Sequence, residues 1–179
     1  MSKAIIRWSL AGLWLGGSCM LSAAELSSHA EHEAHEHGHA TLNIAVEETS
    51  LLLELKAPAA DIVGFEHAPH TAAQKQQLDA ALATLHQADN LVDLEKNAGC
   101  QLQQVKVQHH LDDKASTAHG DIEASYAYSC LNPTELNAIT LTLFKHFASL
   151  QDIDYQIMAQ SHQGAGELSP ENPQVELQK

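Results

Sequence analysis

Alternating apolar residues in the first third of the chain constrain its fold most. They recur with a period of two, first over 42–46 and then over 51–55, with a polar link at 47–50 between the two runs. Successive side chains of a β-strand point to opposite faces of a sheet, so this period predicts two strands that each bury one face. The short polar link favours a hairpin, and Pro58 ends its second strand.

The segment after the hairpin has a different period. Between 72 and 87, apolar residues are spaced three or four positions apart among Gln, Lys and Asp. This spacing predicts an amphipathic helix. Thr71 precedes it and is a suitable N-cap, because its hydroxyl can accept a bond from a backbone N–H. The apolar positions are Leu78, Ala81, Leu82 and Leu85.

Period-two patterns return in the second half of the chain. They cover 105–107, 122–128, 139–143 and 153–157. The segment 144–150 favours two short helical turns, and the short links between strands favour antiparallel neighbours. We therefore predict a single small α+β domain over 41–170, a mostly antiparallel sheet with one main amphipathic helix and short additional helical turns. A polar tail follows over 171–179.

The first residues have the pattern of an export signal. Lys3 and Arg7 are followed by an apolar run over 8–21, which is too short for a comfortable membrane span and ends in small residues. We predict a signal peptide over 1–24, an exported mature chain and no membrane span after cleavage. The alternative is a lipidated Cys19, but the residues before it lack the aliphatic side chain that a lipoprotein signal usually carries.

Two cysteines, Cys100 and Cys130, are left after removal of the predicted signal peptide. An even number of cysteines in an oxidising compartment predicts a disulfide between them. The alternative is a pair of thiolate metal ligands, which requires a reducing compartment or a metal delivered before oxidation.

The charge balance restricts the partners of the chain. Its 179 residues contain 9 Lys and Arg against 23 Asp and Glu, for a formal net charge of -14. Binding to nucleic acid requires clustered cations, so no nucleic-acid partner is expected. The 13 histidines favour a different partner, because imidazole is the commonest metal ligand.

Five of these histidines lie in a His/Glu-rich tract over 25–40, which we predict to be flexible. They are His29, His32, His35, His37 and His39. Neutral imidazole suits Zn(II), Ni(II) and Cu(II), and a flexible run of such ligands can wrap around a metal. A strand that extends back to His37 would place His37 and His39 on one side. The alternative is a solvated tail without a role, which we consider less favoured than metal binding.

A second group of ligands lies in a predicted loop over 109–121, between two strands. Its members are His109, His110, Asp112, Asp113, His119 and Asp121. Loops of this length are usually functional or disordered, and the alternative to a metal site is an acidic hairpin loop with accidental histidines. Glu66 and His67 lie in an irregular link between hairpin and helix, where they would complete a site.

The tract also contains the pattern H-E-x-x-H, at 35–39. On a helix this pattern places two zinc ligands beside a general base. Here it lies in a polar terminal segment that leads into a strand, and a tract of His, Glu and Ala matches it by chance. No nucleophile and base pair stands out either, so the chain is not expected to be an enzyme.

Several of these features occur together in one known family. They are the segment Pro-Ala-Ala-Asp-Ile-Val-Gly-Phe-Glu-His-Ala-Pro over 58–69, His-Gly-His-Ala over 37–40, Gly99-Cys100, Tyr-Ala-Tyr-Ser-Cys over 126–130 and Glu-Leu-Ser-Pro-Glu-Asn-Pro over 167–173. In these the chain resembles the zinc-regulated periplasmic proteins of the ZrgA family over essentially its whole mature length. The resemblance implies a periplasmic zinc-binding protein that assists zinc uptake alongside a zinc ABC importer. Its partner would be the periplasmic component of that importer.

Residues and resemblance together lead to a hypothesis of reversible capture. Imidazoles of the tract and the imidazoles and carboxylates of the loop would take Zn(II) and hold it for transfer to a transporter. Two alternatives remain open at this point: an exported structural or interaction protein, and a general buffer for Ni(II) or Cu(II) without a role in uptake.

Overall fold

The computed structural model describes residues 39–111, 120–159 and 162–177. Two helices lie in these ranges, α1 (Ala59–Val63) and α2 (Ala72–Leu85), together with four short 3-10 turns. The strands in the same ranges are β1 (His39–Glu47), β2 (Ser50–Pro58), β3 (Val92–Leu94), β4 (Cys100–His109), β5 (Asp121–Cys130), β6 (Ala138–Leu141), β7 (Asp152–Ala159), β8 (Gln163–Leu168) and β9 (Gln174–Glu176).

The predicted hairpin is confirmed as β1 and β2. Leu42 pairs with Leu55 and Ile44 with Leu53 in an antiparallel register, and these four side chains are buried. The turn needs a residue with positive φ, which Glu48 supplies at φ 48°. The alternation of apolar and polar residues therefore gives the hairpin one face that is covered by the core and one face that is open, as its period of two predicted.

This hairpin forms the centre of a six-stranded main sheet in the order β4-β5-β2-β1-β7-β8. All neighbours are antiparallel except β1 and β7, which are parallel. Because of these directions, β1, β5 and β7 begin at one end of the sheet, and β2 and β4 finish at that same end. We call it the ligand end, and the opposite end, where Cys100 and Cys130 lie, the disulfide end.

The predicted α+β class is wrong, because the protein is mostly β. Strands account for 48% of the described residues and helices for 23%, and a second sheet in the order β3-β6-β9 lies over the covered face of the main one. Val92 and Leu141 of the second sheet line a small apolar cavity with Leu42 and Leu53 of the main sheet. The core is therefore formed between two sheets as well as under a helix. Sequence periodicity missed this second sheet because β3 and β9 have three residues each, which is too short for an alternation to be recognised.

The predicted amphipathic helix is confirmed as α2, which covers another part of the same face. Thr71 caps it in a capping box, since its hydroxyl accepts a bond from Gln74 N–H and the Gln74 side chain accepts one from Thr71 N–H. The Tyr126 hydroxyl donates to the carbonyl of Leu85 at 2.8 Å, which ties the end of the helix to β5. Burial raises the pKa of Tyr126 well above its ordinary value.

The predicted disulfide is confirmed. Cys100 and Cys130 are directly paired residues of β4 and β5, and their sulfurs are bonded. The bond therefore joins the start of one strand to the end of the next. Within the part of the chain that the structure describes, no helix is both long and apolar enough to span a membrane.

Candidate metal site

The two ends of the predicted His/Asp loop meet at the ligand end of the main sheet. His109 is the last residue of β4, Asp121 is the first of β5, and His110 N–H donates to the carbonyl of Asp121 at 2.8 Å. This bond closes the base of the loop. We call His109, His110, Asp121 and Glu123 the loop stem, and all four lie in described parts of the chain.

The closest His and carboxylate of the stem are His110 and Glu123. The Nε2 atom of His110 lies 3.7 Å from Glu123 Oε2, and both side chains are about half exposed. Glu123 lies on the open face of the sheet, whereas its neighbour Ile122 faces the core. Imidazole nitrogen and carboxylate oxygen are both ligand types of Zn(II), so this pair has the chemistry of two of the four ligands of a tetrahedral site.

Sequence reasoning missed Glu123, although a signal for it was present. Glu123 follows Asp121 by two positions in a strand with a period of two, so both carboxylates had to lie on one face. His109 is directly paired with Ile122 and so belongs to the other face of the sheet, although it is exposed at the edge strand.

Asp121 is largely covered and has a cation beside it. Its Oδ2 atom lies 3.2 Å from Nζ of Lys56, and 13% of its side chain is exposed. Lys56 belongs to β2 and is directly paired with Glu123. The ammonium of Lys56 therefore contacts Asp121, and the strand position of Lys56 is opposite Glu123.

The link that contains Glu66 and His67 is attached to the stem through Gly120. The carbonyl of Gly120 accepts a bond from Ala59 N–H at 2.7 Å. A Cβ atom at position 120 would lie 2.8 Å from the carbonyl oxygen of Glu66 and 2.3 Å from Cδ2 of Leu111. Only glycine allows this approach, which explains the glycine that follows His119 in the sequence.

One ring nitrogen of His67 has a lone pair that could bind a metal ion. Its Nδ1 lies 2.8 Å from the carbonyl of Ala68, and a carbonyl only accepts hydrogen bonds, so Nδ1 carries the proton and Nε2 the lone pair. The ring stacks on Phe65 and on His70, with centroid distances of 5.3 and 5.1 Å. His70 was not among the predicted ligands, and it is exposed beside His67.

His39 is the described residue through which the N-terminal tract enters β1. Its Nδ1 lies 3.8 Å from Oδ2 of Asp152, the residue paired with it across the parallel β1 and β7 strands. Sequence reasoning missed Asp152, because it lies far along the chain and nothing local predicts the pairing. His39 is separated from the start of β5 by two strand spacings, which is about 10 Å.

The remaining predicted ligands lie outside the described residues. They are His29, His32, His35 and His37 of the tract and Asp112, Asp113 and His119 of the loop. Among the residues that the structure describes, three or more His, Cys, Asp or Glu side chains are nowhere gathered closely enough to hold a metal ion. The described candidates instead include two His–carboxylate pairs, His110 with Glu123 and His39 with Asp152, at one end of the sheet.

Comparison with known proteins adds an independent finding. A family model described as ZrgA family zinc uptake protein matches residues 34–177, which is most of the chain and includes every described residue. No curated protein matches the sequence. The match includes β1 to β9, the stem and the link through His67.

Proposed function

Because the chain belongs to the ZrgA family of zinc uptake proteins, we propose that it captures Zn(II) at the ligand end of its main sheet and passes the ion on for import. In this proposal zinc is the cargo, and the protein is a binding protein and not an enzyme. The site of action is the periplasm, and the recipient is the periplasmic component of a zinc ABC transporter.

One observation supports this function best: every described ligand candidate lies at one end of the main sheet or is attached to it. His39 begins β1, His109 finishes β4, and Asp121 begins β5. The link through His67 joins the same end through Gly120. Strand directions thus bring together residues that lie up to 82 positions apart in sequence, in a molecule whose net charge of -14 attracts cations.

The pairs at this end suit a cargo site better than a structural zinc site. A structural site holds four protein ligands in a closed tetrahedron, whereas His110 with Glu123 and His39 with Asp152 supply two each. In the proposal, the tract over 25–40 and the loop over 109–121 supply the other ligands, among them His29, His32, His35 and His37 and Asp112, Asp113 and His119. A site whose ligands come from separate segments of the chain allows zinc to enter and leave more readily than a closed tetrahedron does.

The proposed export rests on two features. The disulfide between Cys100 and Cys130 is typical of oxidising compartments. The pattern over 1–24 is that of a signal peptide, whose removal would leave a mature chain that begins at Glu25. In this organisation the tract over 25–40 precedes a single domain over 41–170, and the segment 171–179, predicted as a tail, contains β9.

Zinc titration of the mature chain tests the proposal. By calorimetry we expect more than one zinc per chain at neutral pH, a large loss of capacity on deletion of 25–38, and a further loss in the His110→Ala/Glu123→Gln variant. His86→Ala is the control, because His86 is exposed at the C-terminus of α2 and away from the predicted ligands. Absence of zinc uptake by the mature chain would rule the proposed function out.

The dependence on pH gives a second measurement. Imidazole binds a metal only when it is deprotonated, so occupancy should fall as the pH drops through about 6 to 6.5. Parallel titrations with Ni(II) and Cu(II) separate zinc uptake from general metal buffering. Occupancy that is equal at neutral and acid pH would contradict binding through histidine.

A further inference from the structure

Lys56 has an unusual position for a cation in this molecule. The chain has only 9 Lys and Arg against 23 Asp and Glu, yet Lys56 lies beside the stem, 3.2 Å from Asp121 and directly paired with Glu123. A positive charge beside a cation site weakens that site. The proposed function alone gives no reason for an ammonium there.

We propose that Lys56 is a resident counter-cation of the stem, which an incoming divalent metal ion must displace, and that it thereby sets the affinity and the release rate of the stem site. This inference rests on the proposed function, because it requires that zinc binds at the stem. It assigns a role in binding to a residue that is itself no metal ligand.

The geometry of β2 and β5 makes the ammonium and the metal competitors for the Asp121 carboxylate. Lys56 is opposite Glu123 and diagonal to Asp121, and its ammonium lies 3.2 Å from Oδ2 of Asp121. Without a metal, the ammonium reduces the repulsion between these like charges. A divalent ion at the same oxygens carries twice the charge and repels the ammonium, so the two do not stay together.

The displaced side chain has space in which to move. A hollow of about 340 Å³ on the open face of the sheet is lined by Lys56, Glu123 and also Glu54. Glu54 lies on the same face of β2, two positions before Lys56. Its carboxylate offers the displaced ammonium a second partner. The Lys56 side chain is 47% exposed, so water partly screens its ion pair with Asp121. Breaking this pair therefore costs little free energy.

Reversible release follows from this competition. When zinc leaves, the four-carbon side chain of Lys56 returns its ammonium to the vacated oxygens, which disfavours immediate rebinding. A stem without Lys56 would hold zinc more tightly and release it more slowly. For a protein that passes its cargo on, a weaker site with faster release is useful.

Three variants of the mature chain test the inference by zinc titration and by the rate of zinc transfer to a chelator. In Lys56→Met we expect the stem site to bind zinc about threefold to tenfold more tightly, and to release it more slowly by a similar factor. Lys56→Arg should stay close to the parent protein. Lys96→Met removes the same charge near the disulfide end and should change neither quantity, since β4 separates it from the stem by about 30 Å.

A second background shows that the effect acts through the stem. In the His110→Ala/Glu123→Gln variant, Lys56→Met should have no further effect on zinc affinity. If Lys56→Met binds zinc like the parent while the stem double variant loses a zinc, the inference is wrong and the proposed function stands. If the stem double variant also binds like the parent, no zinc binds at the stem and both the stem assignment and the inference fail.

Discussion

The two ends of the main sheet are built in opposite ways. At the disulfide end, Cys100 is bonded to Cys130, and the backbone N–H of Cys130 donates to Thr49 at 2.7 Å. At the ligand end, the described connections are ion pairs and backbone bonds of the stem, with exposed His39 and His110 beside them. The difference agrees with the proposed division of roles, in which one end stabilises the sheet and the other supplies metal ligands.

Removal of the disulfide is the strongest way to break this comparison. The bond closes a chain segment with a sequence separation of 30, and chain entropy then assigns it about 3 to 4 kcal/mol of the free energy of unfolding. We expect this loss in the Cys100→Ala/Cys130→Ala variant by urea denaturation, with zinc stoichiometry unchanged below the unfolding transition. Both cysteines are replaced so that no thiol remains as a ligand. Loss of zinc by a folded double variant would mean that the two ends are coupled.

Gly120→Ala should have the next largest effect, and it acts at the ligand end. The added Cβ would lie 2.3 Å from Leu111 and 2.8 Å from the Glu66 carbonyl, and such overpacking costs about 1 to 3 kcal/mol. Because the stem must shift, zinc affinity at the stem should fall as well. Gly166→Ala is the control, since Gly166 lies in β8, away from the stem, and its Cβ would lie 2.7 Å from the hydroxyl of Tyr155 in β7. Equal loss of zinc affinity in both variants would contradict a local effect.

The sequence predicts those parts of the fold whose pattern lies within a short stretch of the chain, and it does not predict pairings between distant segments. The hairpin, helix α2 and the disulfide follow from spacing within a few residues or from the number of cysteines. The parallel pairing of β1 with β7 joins His39 to Asp152 across most of the chain, and no local pattern predicts it. The second sheet was missed for a related reason, because β9 contributes one buried residue, Val175, to the core.

The same reasoning applies to the candidate site. Composition predicts which residues are candidate metal ligands, since histidines and carboxylates are concentrated in two segments. It does not predict that the segments share one end of a sheet, because this depends on the directions of β1, β4 and β5. Lys56 was missed because a lysine is not a ligand, and its importance depends on its register with Glu123.

Two buried tyrosines of β5 provide a further test, because their replacement by Phe is expected to change the free energy of unfolding differently. Tyr126→Phe removes the bond to the Leu85 carbonyl and should cost about 1 kcal/mol. The Tyr128 hydroxyl is buried without a hydrogen-bond partner among the described residues, and burial raises its pKa to about 12. Tyr128→Phe should therefore leave stability unchanged or raise it. Thermal unfolding of both variants measures this, and a loss in Tyr128→Phe as large as that in Tyr126→Phe would reveal a partner for the hydroxyl.

The smallest expected effect concerns an acidic residue that stabilises the second sheet and not the ligand end. The carboxylate of Glu95 accepts hydrogen bonds from the backbone N–H groups of Asn137 and Ala138, where β6 begins. The bond from the Asn137 backbone is the main reason why the pKa of Glu95 is lowered from 4.5. A lowered pKa in the folded state means that the carboxylate stabilises the fold above about pH 4.5, and that this contribution is lost as the pH falls further.

Glu95→Gln keeps the shape of the side chain and removes the charge. It should lower the midpoint of urea denaturation slightly at neutral pH and by less at pH 3, because the contribution of the charge decreases as the pH falls below 4.5. Zinc binding should be unchanged at neutral pH, because Glu95 belongs to neither the stem nor the tract. A difference in stability between parent and variant that is the same at both pH values would show that the charge of Glu95 does not stabilise the start of β6.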